Sequence, residues 1–379
     1  MRITHKTGIL LLFMLPAWQP VWSSKLGVEN VPVVLVSQPR DRAKSLRQLA
    51  EKRQLTIGTA VRMEPFQNDA TYRAVLAREF NSLTPENAMK FGQLSPKQGQ
   101  YTFEKADALV AFAEQHQMQV HGHVLVWHRN LPNWLTGKNW SRAELIDILH
   151  KHITTVVSRY QGRVAVWDVV NEALEKDGSL RDSIWLRGIG PEYIAMAFRW
   201  AHAADPQAKL LYNDYQAEEL NPKSKAVYQL VKTLLQKGVP IHGVGWQMHK
   251  GIKTPPNGHA IANNMRRLSN LGLEVKITEM DVSIHKGPGS LTEKLQRQAH
   301  IYSAVLSICL QFNRCRSFST WGLADHHSWI PSFLGHPDAP LLFDQSYRPK
   351  PAYRSLIDIL QRHNRPKLSD AVLNFRWAS

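Results

Sequence analysis

The sequence predicts a (β/α)8 barrel, an α/β fold (TIM barrel) built as a single domain. Eight strand-like runs recur along the chain. Amphipathic segments of helix length lie between them, and polar side chains collect at the C-terminal ends of the runs. A length of 379 residues suits one such barrel or two average domains. With 43% apolar and 21% charged residues, the chain has the composition of an ordinary globular core.

The first four runs are "LTIGTAV" (55–61), "EFNSLTP" (79–85), "VHGHVLVW" (120–127) and "RVAVWDVVN" (163–171). The second four are "KLLYNDY" (209–215), "IHGVGWQMH" (241–249), "LEVKITEMD" (273–281) and "RSFSTWGLA" (316–324). Helical patterns separate them, among them "EKADALVAFAEQHQ" (104–117), "SRAELIDILHKHITTVVSRY" (141–160) and "PKSKAVYQLVKTLLQKG" (222–238). "PAYRSLIDILQRH" (351–363) supplies the last helix. A doubly wound open sheet usually has fewer units and a glycine-rich phosphate turn, and the sequence has neither feature.

The fourth run poses a physical problem. "VAVWDVVNEA" (164–173) is an apolar strand that holds Asp168 and ends in Asn171 and Glu172. An unpaired buried carboxylate is costly, so partners or a function must account for it. In a barrel the strand lines the core and its C-terminal end opens onto the mouth, where barrel enzymes place their chemistry. The other ends agree. Asn87 and Lys90 follow the second run, His123, Trp127 and His128 end the third, and Asn213, Asp214 and Tyr215 end the fifth. Gln247 and His249 end the sixth, Glu279 and Asp281 the seventh, and Trp321 the eighth.

Outside the barrel region (55–363), residues 1–24 read as a secretory signal peptide. Arg2 and Lys6 precede the apolar run 8–17, and Ser23 and Ser24 follow it. That run is too short to span a bilayer, so no membrane anchor is expected after cleavage, and the protein is expected to be secreted or periplasmic. Residues 25–54 form a lead-in whose "RDRAKSLRQLAEKR" (40–53) reads as an amphipathic helix with a solvated basic face. Residues 364–379 are a tail too short to be a carbohydrate-binding module. The formal net charge is +16, and loss of the leader lowers it by two. Such a balance suits an anionic partner, but no nucleic-acid-binding motif accompanies it, so nucleic acid is not an expected partner. Cys309 and Cys315 are the only cysteines. They are too few for a disulfide framework or a zinc site, and they either bridge the end of a helix or remain two buried thiols.

Glu172 and Glu279 are the only pair of glutamates placed directly at strand ends. Two carboxyl groups about a sugar bond are what glycoside hydrolysis needs, one protonated to donate to the leaving oxygen and one ionised to attack the anomeric carbon. Their environments must therefore push the two pKa values apart. His249 and Asp281 are placed to support the ionised form of Glu279, and Asn171 to orient a sugar 2-hydroxyl. Trp127, Tyr215, Trp321 and Trp329 cluster at or beyond strand ends, where flat rings suit the apolar faces of pyranoses. "ADHHSW" (324–329) resembles a metal cluster, but no second histidine or aspartate group has ligand spacing, so no metal and no cofactor are expected.

With these motifs in hand, the chain resembles the glycoside hydrolase family 10 endo-β-1,4-xylanases from about Thr56 to the last helix. The likeness rests on "FNSLTPENAMKF", "HGHVLVWH", "WDVVNEA", "YNDY", "WQMH", "ITEMD", "WGLADHHSW" and "PLLFD…PKPAY", all in the family's order. The resemblance implies a retaining double displacement with Glu172 as acid/base and Glu279 as nucleophile, acting on xylan or xylo-oligosaccharides. It makes His249 the residue that hydrogen-bonds the nucleophile, with Asp281 behind it. It places Glu86, Asn87 and Lys90 on the glycone side and His123, Trp127, Asn171, Gln247, Trp321 and Trp329 in the sugar cradle. It also implies a Cys309–Cys315 disulfide. Phe91, Asn130 and Gln216 stand where the family usually has Trp, Gln and Asn, which bears on subsite affinity. "IPSFLGHPDAP" (330–340) is longer than in the shortest members and is placed to cover the aglycone side. A monomer is expected. The rival readings are a β-1,4-glucan hydrolase on the same barrel and a non-catalytic glycan-binding barrel.

Overall fold

The computed structural model describes residues 44–362. The leader, most of the lead-in and the tail lie outside these residues. The strands are β1 Thr56–Val61, β2 Ser82–Pro85, β3 Gln119–Gly122, β4 Val166–Asn171 and β5 Lys209–Asp214. After them come β6 Gly243–Trp246, a short β7 His249–Gly251, β8 Glu274–Ser283 and β9 Ser317–Thr320. All pairings are parallel. They run from β6 through β5, β4, β3, β2, β1 and β9 to β8, and a β6–β8 pairing closes the barrel. β7 stands outside the closed ring. It pairs only with the end of β8, His249 opposite Asp281 and Gly251 opposite Ser283.

The helices start where local chemistry favours it. Ser141 caps the helix Arg142–Arg159 and Glu144 returns the bond, a capping box that satisfies otherwise orphaned N–H groups. The same device opens the helix Leu291–Cys309 through Ser290 and Glu293. Asn221 caps the helix Pro222–Gln236, whose first residue is proline. Cys309 and Cys315 form a disulfide at the end of their helix. No helix among the described residues is long and apolar enough to cross a membrane.

Several expected boundaries move. Glu79 closes the helix Ala70–Glu79 rather than opening a strand, because its carboxylate accepts from the Leu46 N–H at 3.0 Å and the Tyr353 hydroxyl at 2.8 Å. Among the described residues the basic helix expected over 40–53 runs Leu46–Lys52, with Leu46, Leu49 and Ala50 buried, and residues 40–43 lie outside the described residues. Its basic face is not wholly solvated, since Arg47 donates to the carbonyls of Ala77 (3.1 Å) and His116 (2.9 Å). β3 stops at Gly122, and the chain rejoins β4 at Leu125 and Val126, whose N–H groups donate to the carbonyls of Asp168 and Val169, with a Val126–Val170 bridge. This offset inserts one extra residue between the two contacts.

Asp168, the buried carboxylate in β4, is paired on both oxygens. His121 Nε2 lies 2.9 Å from Oδ1 and His123 Nδ1 lies 2.8 Å from Oδ2. Burial alone would raise its pKa, but the charges and hydrogen bonds of His121 and His123 outweigh that and hold it near 2. The stabilisation is therefore complete at neutral pH and is lost as pH falls toward about 2. Replacing Asp168 with alanine would strand two buried imidazoles, and a loss of about 3–5 kcal/mol in urea unfolding is expected. A loss under about 1 kcal/mol would show that the pair carries little of the fold's stability.

Candidate active site

β4 ends at Asn171, and the next residue, Glu172, has φ 56°. Non-glycine residues rarely hold this left-handed conformation unless their surroundings enforce it. Here the Glu172 N–H donates to the Asn213 carbonyl at 2.9 Å, and Arg181 Nε donates to the Glu172 carbonyl at 2.7 Å. Arg181 also reaches the Leu174 carbonyl (3.1 Å) and the Tyr215 hydroxyl (2.8 Å). Left-handed turns recur two residues beyond β5, at Gln216 (φ 55°), and two beyond β6, at Met248 (φ 61°).

The two glutamates belong to one hydrogen-bond network. Glu172 Oε1 accepts from Gln247 Nε2 at 2.9 Å and from Asn171 Nδ2 at 3.2 Å. Glu279 Oε1 accepts from Asn213 Nδ2 at 2.7 Å. Asn213 Nδ2 also reaches Asn171 Oδ1 at 3.0 Å, and Thr278 Oγ1 donates to Asn213 Oδ1 at 2.8 Å. Asn171, expected to orient a sugar hydroxyl, thus directs its amide at Glu172, and a sugar would have to compete with that 3.2 Å bond.

Behind Glu279 stands a second chain. Its Oε2 lies 3.2 Å from His249 Nε2, and His249 Nδ1 lies 2.9 Å from Asp281 Oδ2. Trp329 Nε1 donates to the same Asp281 oxygen at 2.8 Å. Burial pushes the His249 imidazolium down, but the charge and hydrogen bond of Asp281, then those of Glu279, overcome this and raise its pKa to about 10. At neutral pH both ring N–H groups therefore donate, one to each carboxylate, and a positive charge rests against Glu279.

Glu172 departs from expectation. Burial raises its pKa, yet the Gln247 hydrogen bond, the Trp127 indole and the charges of His128 and Arg181 more than offset that, and the net direction is down. A general acid must nevertheless hold a proton. Contact with a glycosidic oxygen favours the protonated carboxyl, because only that form can donate to it, so the pKa rises in the enzyme–substrate complex. The alkaline limb of kcat is accordingly expected at higher pH than that of kcat/KM. Initial-rate pH profiles check this, and coincident limbs would contradict it.

The remaining expected residues make the following contacts. Asn87 Nδ2 donates to Glu86 Oε1 at 3.3 Å, and Lys90 Nζ donates to Asn87 Oδ1 at 2.9 Å while standing 5.0 Å over the Trp127 ring. Burial lowers the Lys90 pKa against the opposing pull of Glu86, Glu279 and Glu172. Trp321 meets His123 edge-on at 5.0 Å. One face of Tyr215 is taken by Lys223 Nζ, 3.5 Å from the ring centroid. Phe91 is buried and stacked on His152 at 3.6 Å between ring centroids, so its side chain packs in the core. In the "ADHHSW" loop, His327 is hydrogen-bonded to the Tyr347 hydroxyl at 3.2 Å and meets Tyr72 edge-on. Among the described residues it is His123, Asp168 and Glu279 that bring one donor atom each within 4.8 Å of one another, and the His123–Asp168 bond accounts for part of that closeness.

Sequence reasoning left Asn213 and Arg181 without roles. Asn213 carried a signal, since it ends a strand. Arg181 sits in a loop and carried none.

A closed parallel barrel whose C-terminal mouth holds two networked carboxyl groups defines a glycoside hydrolase of the two-carboxylate kind. The chain belongs to glycosyl hydrolase family 10, whose sequence model matches residues 45–359. It is 46% identical over 321 residues to endo-1,4-beta-xylanase B of Thermotoga neapolitana, covering 83% of this chain and 91% of that one. It is 36% identical over 319 residues to endo-1,4-beta-xylanase 1 of Humicola insolens, covering 83% and 74%. The crystal structure of xylanase 10B from Thermotoga petrophila in complex with xylobiose superposes with a TM-score of 0.82 at 45% identity, over 84% of this chain and 97% of that one.

Proposed function

We propose that this chain is a retaining endo-β-1,4-xylanase that cuts internal bonds of xylan. The observation that carries the reading is the Glu172–Glu279 pair, joined through Asn171, Asn213 and Gln247, with a His249 imidazolium beside Glu279 alone. In the first step a Glu279 oxygen attacks the anomeric carbon as the glycosidic C–O bond breaks, and the Glu172 proton passes to the leaving oxygen. In the second step Glu172 takes a proton from water, whose oxygen displaces Glu279 from the same carbon and restores the original configuration. A retaining enzyme of this kind places its carboxyl groups about 5–5.5 Å apart. The xylanase names of the relatives and the xylobiose bound to one of them support the substrate class, and they lend nothing to the glucan alternative.

Export follows from the same reading. The basic and apolar leader pattern and the disulfide fit an oxidising compartment outside the cytoplasm. A monomer is supported by the small number of large apolar residues exposed among those described, Leu220, Leu291 and Phe333.

The test is hydrolysis of xylan beside carboxymethyl-cellulose, with the fresh reducing ends followed by proton NMR. Strong turnover of xylan with the β-anomer appearing first supports the reading. The α-anomer first would mean inversion, and a preference for the cellulose derivative would move the substrate to glucan.

A further inference from the structure

A second recess opens beside the catalytic mouth, a cavity of about 320 Å³ whose inner wall is formed by His249, Asp281 and Trp329. It therefore shares a wall with the charged chain that supports Glu279. The aromatic part is Trp329 with Phe333, their ring centroids 4.9 Å apart. Phe333 is 68% exposed, unusual for so large an apolar side chain beside a polar site. The rim is basic: Lys250, Lys253 and Lys286 all line it. Lys250 is neutralised by Glu218 at 3.1 Å and Glu219 at 3.7 Å. Lys253 and Lys286 are exposed and take part in no ion pair with the described residues.

The exposed Phe333 ring, tilted 47° to Trp329, offers a stacking surface for a sugar ring, and two ammonium groups without an ion pair among the described residues favour a carboxylate. Asp281, the acidic group on the wall, is already bonded by His249 and Trp329 and so leaves the rim's positive charge uncancelled. The xylan backbone is neutral and gives the lysines no partner. We propose that this recess is a branch-binding site that takes a uronic acid substituent carried by the xylan chain, stacking it on Phe333 and pairing its carboxylate with Lys253 and Lys286. The proposal rests on the xylanase reading and adds to it a preference for acidic over neutral xylan.

Three substrates separate the two ideas: glucuronoxylan, the same polymer with its uronate carboxyls reduced to alcohols, and unbranched xylohexaose. Reduction changes the charge of the branch and leaves the backbone linkages intact. The wild type is expected to show kcat/KM about three- to tenfold higher on the native polymer than on the reduced one, the range for two exposed charge pairs. That preference is expected to shrink with added salt. In the double variant Lys253→Gln/Lys286→Gln the preference should vanish while xylohexaose turnover stays within about twofold of wild type. Phe333→Ala should weaken both polymers and spare xylohexaose. Equal wild-type rates on the two polymers, or a preference that survives in the double variant, overturns the branch site and leaves the xylanase reading standing. A wild type inert on xylohexaose overturns both.

Discussion

Glu279→Ala is expected to lose xylan hydrolysis by roughly 10⁵-fold while remaining folded, as removal of a covalent nucleophile does. The side chain has two partners, Asn213 at 2.7 Å and His249 at 3.2 Å; in the alanine variant Asn213 keeps Asn171 and His249 keeps Asp281, but each loses one acceptor. Some stability is lost with them, so circular dichroism and a melting curve must accompany the rates. The decisive readout is chemical. Azide added to the variant with an activated aryl xylobioside should occupy the space of the carboxylate and yield the α-glycosyl azide. Formation of that product identifies the face from which Glu279 attacks. A variant that keeps more than about a tenth of wild-type activity would remove Glu279 from the nucleophile's role.

Glu172→Ala should behave differently on two substrates. On xylan the leaving oxygen needs a proton, and a loss of about 10²–10⁴-fold is expected. On an aryl glycoside with an acidic phenol the first step needs no proton, so the glycosyl-enzyme forms quickly and accumulates as an initial burst. Azide then accelerates turnover and gives the β-glycosyl azide, opposite in configuration to the product of the Glu279 variant. The alkaline limb of the pH profile should disappear as well, since the group that must hold a proton is gone. Equal losses on both substrates with no burst would mean that Glu172 positions the sugar and does not transfer a proton.

The barrel was legible because each strand is an apolar run that turns polar at its end, and eight such transitions in succession fit few architectures besides a closed parallel sheet. Glu172 and Glu279 were legible for the same reason. What stayed hidden depends on partners far apart in the chain. Asn213 contacts Glu279 across 66 residues and His121 contacts Asp168 across 47, separations at which a single polar residue in a strand does not name its partner. Arg181 holds the left-handed turn at Glu172 from a loop with no periodicity to read. β7 has three residues and no alternation, so only its pairing with β8 defines it. The direction of the Glu172 pKa was illegible as well, because it is a balance between burial and four neighbours contributed by three segments of the chain, around 127–128, 181 and 247.

The pairing of β7 with the overhanging end of β8 sets His249 opposite Asp281 by strand register. The geometry around the nucleophile is thus carried first by the main chain of two strands, and the loop after β9 reinforces it through Trp329 on Asp281 and the Pro340 carbonyl on the Val282 N–H. Residues 285–290 and 331–337 make no hydrogen bond to His249, Glu279 or Asp281, so a change of charge there leaves the contacts of the reactive centre in place. Chemistry and selectivity become separately heritable in this fold, the first written in register and the second in the surrounding loops.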